Sequence, residues 1–416
     1  MIDMSDIQVG IDIGSSKTVV VISQNDEFED QLLVLGLGKA ENTGVRKGKI
    51  INIEHTIHSI KKAAEQAVLM AGLDFNQVNV NIQGEISSIN SQGIVGIARK
   101  DREVSSKDVQ RVIDLATHND IGHDKRIVHV FPQHFKLDEQ DFIKDPIGMT
   151  GFRLEGKVHL ITSPKINITN IKRCVERSGF VPKIALANAY ASSNAVLTED
   201  DRLSGVLLLD IGAGTTDMIV YQDGSPSLSF SFLVGGNNLT KDLSMGIKVA
   251  EGTAEKIKKR FGCVYSDLVD PYEEIEVPIY GKNHVQRITK IQINSYLEPR
   301  AEEILLMVKN KLNEKNINLE ELTNGCIITG GVANLSGITE LAEKVLGLHT
   351  RIGLPQKVSG VVDEEIKDPA YSTAIGLCLG EKNYLDESTG KNSGLLSQSS
   401  SGFKTKVKDF FKEILG

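Results

Sequence analysis

The 416-residue sequence predicts an α/β fold of two similar domains facing each other across a shared cleft. Three stretches carry that prediction. In Leu207-Leu-Leu-Asp-Ile-Gly-Ala-Gly-Thr-Thr-Asp-Met-Ile-Val220 an apolar run ends in an aspartate, turns through glycines and threonines, and resumes as a second apolar run. That pattern reads as a β-hairpin with buried strands and a glycine-rich tip. Val9-Gly-Ile-Asp-Ile-Gly-Ser-Ser-Lys-Thr-Val-Val-Val21 repeats the plan 198 positions earlier (210 − 12), about one domain's length. The third stretch, Cys326-Ile-Ile-Thr-Gly-Gly-Val-Ala-Asn-Leu335, reads as a strand running into paired glycines that open a helix.

The chemistry of these loops follows from their residue types. Glycines at 14, 212 and 214 let the backbone curl until several N–H groups converge on one anion, and Ser15, Ser16, Thr215 and Thr216 add hydroxyl donors. Asp12 and Asp210 repel phosphate but suit a magnesium ion held directly or through bound water. Lys17 adds a cation to the first loop, placed for a β- or γ-phosphate. Gly330 and Gly331, with Val332 and Asn334 in the same turn, would bring backbone against a nucleotide's sugar and α-phosphate. One such loop alone would read as an ordinary tight hairpin. Three in this order point to a nucleotide cleft.

The triplet resembles the actin, hexokinase and DnaK-type nucleotide-binding superfamily along nearly the whole chain, and within it the sequence is similar to the FtsA family of bacterial cell-division proteins. The resemblance implies an actin-like (ribonuclease H-like) fold, with ATP and Mg2+ as cofactors. Residues 1–83 would form the first half of domain I (IA), 84–161 an inserted subdomain (IC) in place of actin's subdomain IB, and 162–204 the return to IA. Residues 205–380 would form domain II, with IIB at about 238–322.

In chain order, strands are expected at Gln8–Ile13, Thr18–Ser23 and Leu32–Gly38, then a helix from about Glu54 to Ala71 closed by Gly72, then a strand at Val78–Ile82. Ser105 and Ser106 can cap a helix running to Thr117, with Asp108 in its first turn. Strands at Ile127–Leu137 and Lys157–Ile161 complete a small α+β module. Its Asp145-Pro-Ile-Gly-Met-Thr-Gly-Phe-Arg-Leu-Glu155 is similar to the FtsA family, in which this subdomain contacts neighbouring subunits and later division proteins. A helix from about Asn167 to Ser178 leads to a strand at Val181–Ala185. The small-residue stretch Asn188–Leu197 resembles the superfamily's first connecting helix. Asn188 stands where superfamily ATPases carry a Glu or Gln that orients the attacking water. An amide cannot accept that water's proton, and Asn reaches less far, so hydrolysis is expected to be weak at most.

Gly235 and Gly236 offer further backbone near the nucleotide, ahead of a helix at Asn238–Ile247. Glu255 and Lys258, spaced i, i+3, would alone be a solvated salt bridge. They resemble the superfamily's Ala-Glu-x-Ile-Lys segment, which borders the adenosine. Residues 270–287 read as strands and turns, and an amphipathic helix follows from about Ile291 to Leu312. Its Glu298, Arg300 and Glu303 lie on the side that in FtsA receives the C-terminal tail of FtsZ. Asp368–Leu377 supplies the second connecting helix, which closes the fold near Gly380.

From Glu381 to Gly402 the composition shifts to that of a flexible linker. Phe403, Val407, Phe410, Phe411, Ile414 and Leu415 then fall on one helical face, opposite Lys404, Lys406, Lys408 and Lys412. An amphipathic helix of this kind suits the headgroup layer of an anionic membrane. Net charge is −8, so nucleic acid is not an expected partner. The start Met1-Ile-Asp-Met-Ser-Asp lacks a signal-peptide pattern and no apolar run would span a bilayer. Four cysteines without metal spacing read as buried thiols of a reducing compartment.

The expected function is an ATP-binding protein that polymerises on the cytoplasmic face of the cell membrane, tethers FtsZ at the division septum and recruits later division proteins. The alternatives are a soluble small-molecule kinase or a pilus-assembly ATPase of the same superfamily. A kinase would need a further cleft carboxylate as base and has no evident use for the amphipathic tail.

Overall fold

The computed structural model describes residues 6–26, 31–98, 101–118, 121–278 and 285–389. The proposed linker beyond 389 and the amphipathic segment 403–416 lie outside the described residues.

Two sheets of the same plan form the two domains. In the first, the strand order is Val181–Ala187, Gln77–Ile82, Ile7–Ile13, Lys17–Asp26, Gln31–Glu41 and Val358–Gly360. In the second it is Thr350–Ile352, Cys326–Thr329, Val206–Ile211, Thr216–Gln222 and Ser225–Phe232. In both, three antiparallel strands open the sheet and parallel strands continue it on the far side of the first. The sequence repeat is thus a repeat of topology. The central strands are nearly continuous Val, Ile and Leu because helices or the opposite domain cover both faces.

Local chemistry sets the helix ends. Helix Ile53–Ala71 begins where the Asn52 side chain accepts a bond from the His55 N–H and ends at Gly72, whose φ of 66° is left-handed. Helix Ser106–Thr117 opens with a capping box between Ser105 and Asp108. Two helices connect the domains: Asn188–Val196 and Ser372–Thr389. They cross closely at Gly376, where an added Cβ would stand 1.7 Å from the Ala191 carbonyl oxygen. The second helix runs to Thr389, past the predicted end near Gly380. Tyr384 explains the extension. Its ring is buried among His129, Phe131 and Tyr190, and its hydroxyl accepts the Val130 N–H at 3.1 Å.

Between Gln83 and the helix at 165 the chain leaves domain I to build a four-stranded antiparallel sheet. Its order is Ser87–Gly96, Arg153–Pro164, Lys125–Leu137 and Gln140–Ile143, with helix Ser106–Thr117 packed on it through Val112 and Ala116. Strand Ser87–Gly96 was not foreseen from sequence, because its Ser, Asn and Gln residues conceal the alternation. Those polar groups are used. The inserted unit is stitched to domain II: Asn90 Nδ2 donates to the Ser227 carbonyl (3.0 Å), the Ser229 N–H to Ser88 Oγ (2.8 Å) and Gln133 Nε2 to the Pro226 carbonyl (2.8 Å). His159 joins Asn90 to Ser229, and burial pushes its imidazole down to about 3, so it stays neutral in the seam.

All four cysteines are free and buried. Among the described residues no helix is long and apolar enough to cross a membrane.

Candidate functional site: a cleft between the two hairpins

The two hairpin tips face each other across a cleft of about 440 Å³, within the size range of small-molecule sites. The tips are built alike. The Gly14 N–H donates to the Lys17 carbonyl at 3.0 Å, and the Gly212 N–H to the Thr215 carbonyl at 3.0 Å. Lys17 and Thr215 therefore hold equivalent places, as do Thr18 and Thr216.

Of the residues singled out from sequence, Asp12, Gly14, Ser15, Ser16, Lys17, Asn188, Asp210, Gly212, Gly214, Thr215, Gly236, Glu255, Lys258, Gly330, Gly331, Val332 and Asn334 all line this cleft. Two do not. Thr216 is fully buried, and its hydroxyl donates to the Val234 carbonyl at 2.9 Å, so it is not an anion donor. Gly235 packs beneath the loop, against the carbonyls of Gly212, Ala213 and Thr215. The paired glycines Gly330–Gly331 open a short 3-10 turn, Gly331–Asn334, and the α-helix begins only at Ile338. Gly330 has φ 86°, and a Cβ there would meet Asp210 Oδ1 at 2.4 Å. The third loop thus presses directly on the second.

The carboxylates are held by donors from both connecting helices. Asp210 Oδ2 accepts bonds from Ser192 Oγ and from Thr373 Oγ1 (2.9 Å), one residue from each helix, and a longer contact from Asn188 Nδ2 (3.4 Å). Among the described residues no protein donor bonds its Oδ1. Asp12 Oδ1 accepts from Asn81 Nδ2 at 2.7 Å. Asn188 joins the two sides: its Oδ1 accepts from Asn81 (3.0 Å), and its Nδ2 donates to Asp217 (3.0 Å). Asp217 is buried and saturated by Asn188, Thr215 Oγ1 (2.9 Å) and Ser231 Oγ.

Burial, together with the charge of Asp210, raises the Asp12 carboxyl to about 7, with Lys17 opposing. The same two causes raise Asp217 to about 7. Asp210 is also raised by burial, against its bonds from Ser192 and Thr373. A cleft that makes carboxylates this reluctant to ionise favours an added cation. Among the described residues no three His, Cys, Asp or Glu side chains gather into a metal cage. Two carboxylates with unclaimed oxygens fit Mg2+, which keeps most of its waters and takes one or two protein ligands beside phosphate. Asp12 and Asp210 are the residues that would hold it.

Cations line the other walls. Lys17 Nζ lies 3.9 Å above the Tyr371 ring, and burial holds its ammonium below the usual lysine range. Lys258 Nζ pairs with Glu255 at 2.7 Å and donates to the Gly236 carbonyl (3.0 Å) and Thr240 Oγ1 (2.8 Å). The pair is thus tied into the loop at Gly236 and is not a solvated bridge.

Away from the cleft, Arg300 pairs with Asp242 at 2.6 Å and with Glu303, while Glu298 accepts from Ser266 at 3.5 Å. Sequence reading missed Gln83, Ser192, Thr373 and Asp368. Ser192 and Thr373 lay in the two small-residue helices, where size alone drew attention. Gln83 carries no motif.

Two duplicated domains, hinged by two helices and meeting at glycine-rich hairpins with facing aspartates, define a protein of the actin-like ATPase fold. Solved structures agree: the PilM–PilN type IV pilus biogenesis complex matches with a TM-score of 0.64 at 15% identity over 90% of this chain and 98% of that one. MreB5 of Spiroplasma citri bound to ADP matches with 0.54 at 16% identity, over 94% and 100%. Residues 207–376 match the family described as cell division protein FtsA, and residues 84–162 the SHS2 domain inserted in FtsA. The cell division protein FtsA of Borreliella burgdorferi is 38% identical over 89% of this chain and 90% of its own length. Those of Pseudomonas aeruginosa and Escherichia coli K12 are 36% and 33% identical over 89% and 91% of this chain. The chain belongs to the FtsA family of cell-division proteins.

Proposed function

We propose that the chain binds ATP with Mg2+ in this cleft and acts as a nucleotide-switched tether at the division site. It polymerises on the cytoplasmic face of the cell membrane, holds the C-terminal tail of FtsZ there and recruits later division proteins. The observation that carries the switch is the joint grip on Asp210 by Ser192 and Thr373, one from each interdomain helix. A ligand that engages Asp210 and Asp12 together acts on both domains and on the hinge between them, so its differential affinity sets the cleft angle. Phe403, Val407, Phe410, Phe411, Ile414 and Leu415, flanked by Lys404, Lys408 and Lys412, would supply the membrane contact, weak singly and firm when many copies act together. Glu298, Arg300 and Glu303 mark the proposed FtsZ face.

The test is co-sedimentation with anionic liposomes, with and without ATP–Mg2+, comparing the full chain with one ending at Thr389. That end point keeps Tyr384 and its buried helix. Pelleting that needs residues 390–416 and increases with ATP supports the tether and the switch. Equal pelleting of both chains, or of neither, overturns the membrane assignment.

A further inference from the structure

We propose that Gln83, rather than Asn188, presents the acceptor oxygen that orients the water attacking a bound nucleotide's terminal phosphate. The inference rests on ATP binding in the cleft and deepens it by naming the residue that sets the hydrolysis rate.

Asn188 is already committed. Its Nδ2 donates to Asp217 and Asp210, and its Oδ1 accepts a hydrogen bond from Asn81 Nδ2, so the side chain serves to tie the carboxylates of the two domains together. Turning its amide toward a water would break these bonds inside a buried network, at about 1–3 kcal/mol for each group left unpaired.

Gln83 has the opposite pattern. It follows strand Gln77–Ile82 at the point where the chain departs into the inserted unit, it is 5% exposed, and it lines the cleft. Its Nε2 donates to the Ile13 carbonyl, between Asp12 and Gly14, and the Ile13 N–H in turn donates to Asn81 Oδ1 at 2.8 Å. The reversed amide would set two carbonyl oxygens against each other, so the orientation is fixed. Oε1 then has no hydrogen-bond partner among the described residues, and it is not among the sealed, unsatisfied buried atoms. A rigidly held amide with its acceptor left over, beside the loop of Asp12 and Lys17, is what water positioning requires. Oε1 accepts a hydrogen bond from the water and leaves its oxygen lone pair directed at phosphorus. The water oxygen bonds to the γ-phosphorus as the bond to the β–γ bridging oxygen breaks. The bridging oxygen leaves with the electron pair on ADP, and the water's proton passes to the released phosphate.

The experiment measures ATP affinity and phosphate release at saturating ATP–Mg2+ separately, on the full chain. Gln83→Met keeps volume and removes both polar atoms. Its release rate is expected to fall at least about tenfold, with affinity held within about twofold. Gln83→Glu keeps an acceptor at that reach but replaces the Nε2 donor with an oxygen facing the Ile13 carbonyl, so its rate should stay below that of the wild type. Gln83→Asn keeps the amide but shortens it, and gives the same reading should the methionine variant fold poorly. Release at the wild-type rate in Gln83→Met, or a loss matched by weaker ATP binding, overturns the proposal. Tight ATP binding with no phosphate release by the wild type overturns it while leaving the nucleotide site intact. Failure to bind ATP at all removes the site itself.

Discussion

The two hairpins are copies in backbone and opposites in chemistry. In strand register Asp12 pairs with Val19, whereas Asp210 pairs with Asp217. At the turn, Lys17 occupies the place that Thr215 holds in the other copy. Domain II thus buries two carboxylates inside a net of hydroxyl and amide donors. Domain I offers one carboxylate with a single amide donor, and a lysine resting on an aromatic ring. The shared geometry carries divided labour: one tip is a fixed anchor and the other is adjustable.

That division can be broken most severely where the anchor meets its neighbours. Gly330→Ala places a Cβ at left-handed φ against Asp210 Oδ1 and the Ile211 carbonyl. It should cost about 2–4 kcal/mol in urea unfolding of the nucleotide-free chain and abolish ATP binding.

Removing the carboxylates separates anchor from adjustable arm. Asp210→Ala removes the acceptor shared by Ser192, Thr373 and Asn188, leaves the two hydroxyls only each other (2.9 Å), and should cost about 1–3 kcal/mol. Asp12→Ala removes one of two acceptors of Asn81 Nδ2, whose bond to Asn188 remains, and should cost about 1 kcal/mol or less by the same titration. Both should eliminate the Mg2+ dependence of ATP affinity, read by titration with and without EDTA. Equal destabilisation by the two variants would erase the distinction between the loops.

pH sharpens it further. The Asp12 and Asp217 carboxyls, raised to about 7, bind protons more tightly folded than unfolded. The stability they contribute is complete below the ordinary carboxylate range and is lost as pH rises through about 7. The melting temperature of the nucleotide-free chain should therefore fall from pH 5 to 8, with Asp217→Asn flattening the fall. ATP–Mg2+ affinity should rise over the same interval as the cation meets ionised oxygens.

The smallest effect belongs to the adjustable arm. Tyr371→Leu removes the ring beneath Lys17, worth about 0.5–2 kcal/mol, and should shift ATP affinity only a fewfold. Tyr371→Phe keeps the ring, loses the bond from the Tyr371 hydroxyl to Glu365 (2.7 Å), and should leave the affinity unchanged.

The hairpins were legible in the sequence because an apolar run, an aspartate and a glycine turn each report one physical requirement. Their likeness also held the clue to Thr216, since Thr18 occupies the equivalent buried place in the first copy. Strands Ser87–Gly96 and Ser225–Phe232 escaped notice because they face each other across a polar seam, where serines and asparagines replace the expected apolar alternation. The helix past Gly380 escaped because composition there resembles linker, while one tyrosine in an aromatic pocket anchors it. Gln83 could be found only in three dimensions, since its significance lies in which of its two polar atoms is left over.

Tyr384 has a geometric consequence for the proposed membrane contact. By pinning the last described helix, it gives everything after Thr389 a fixed point of departure. Phe403 lies fourteen positions beyond Thr389 (403 − 389), so in any conformation it stays within about 50 Å of that point. The tail is a leash of bounded radius. If it rests in a bilayer, Thr389 must lie within about 50 Å of the point where Phe403 meets the lipid.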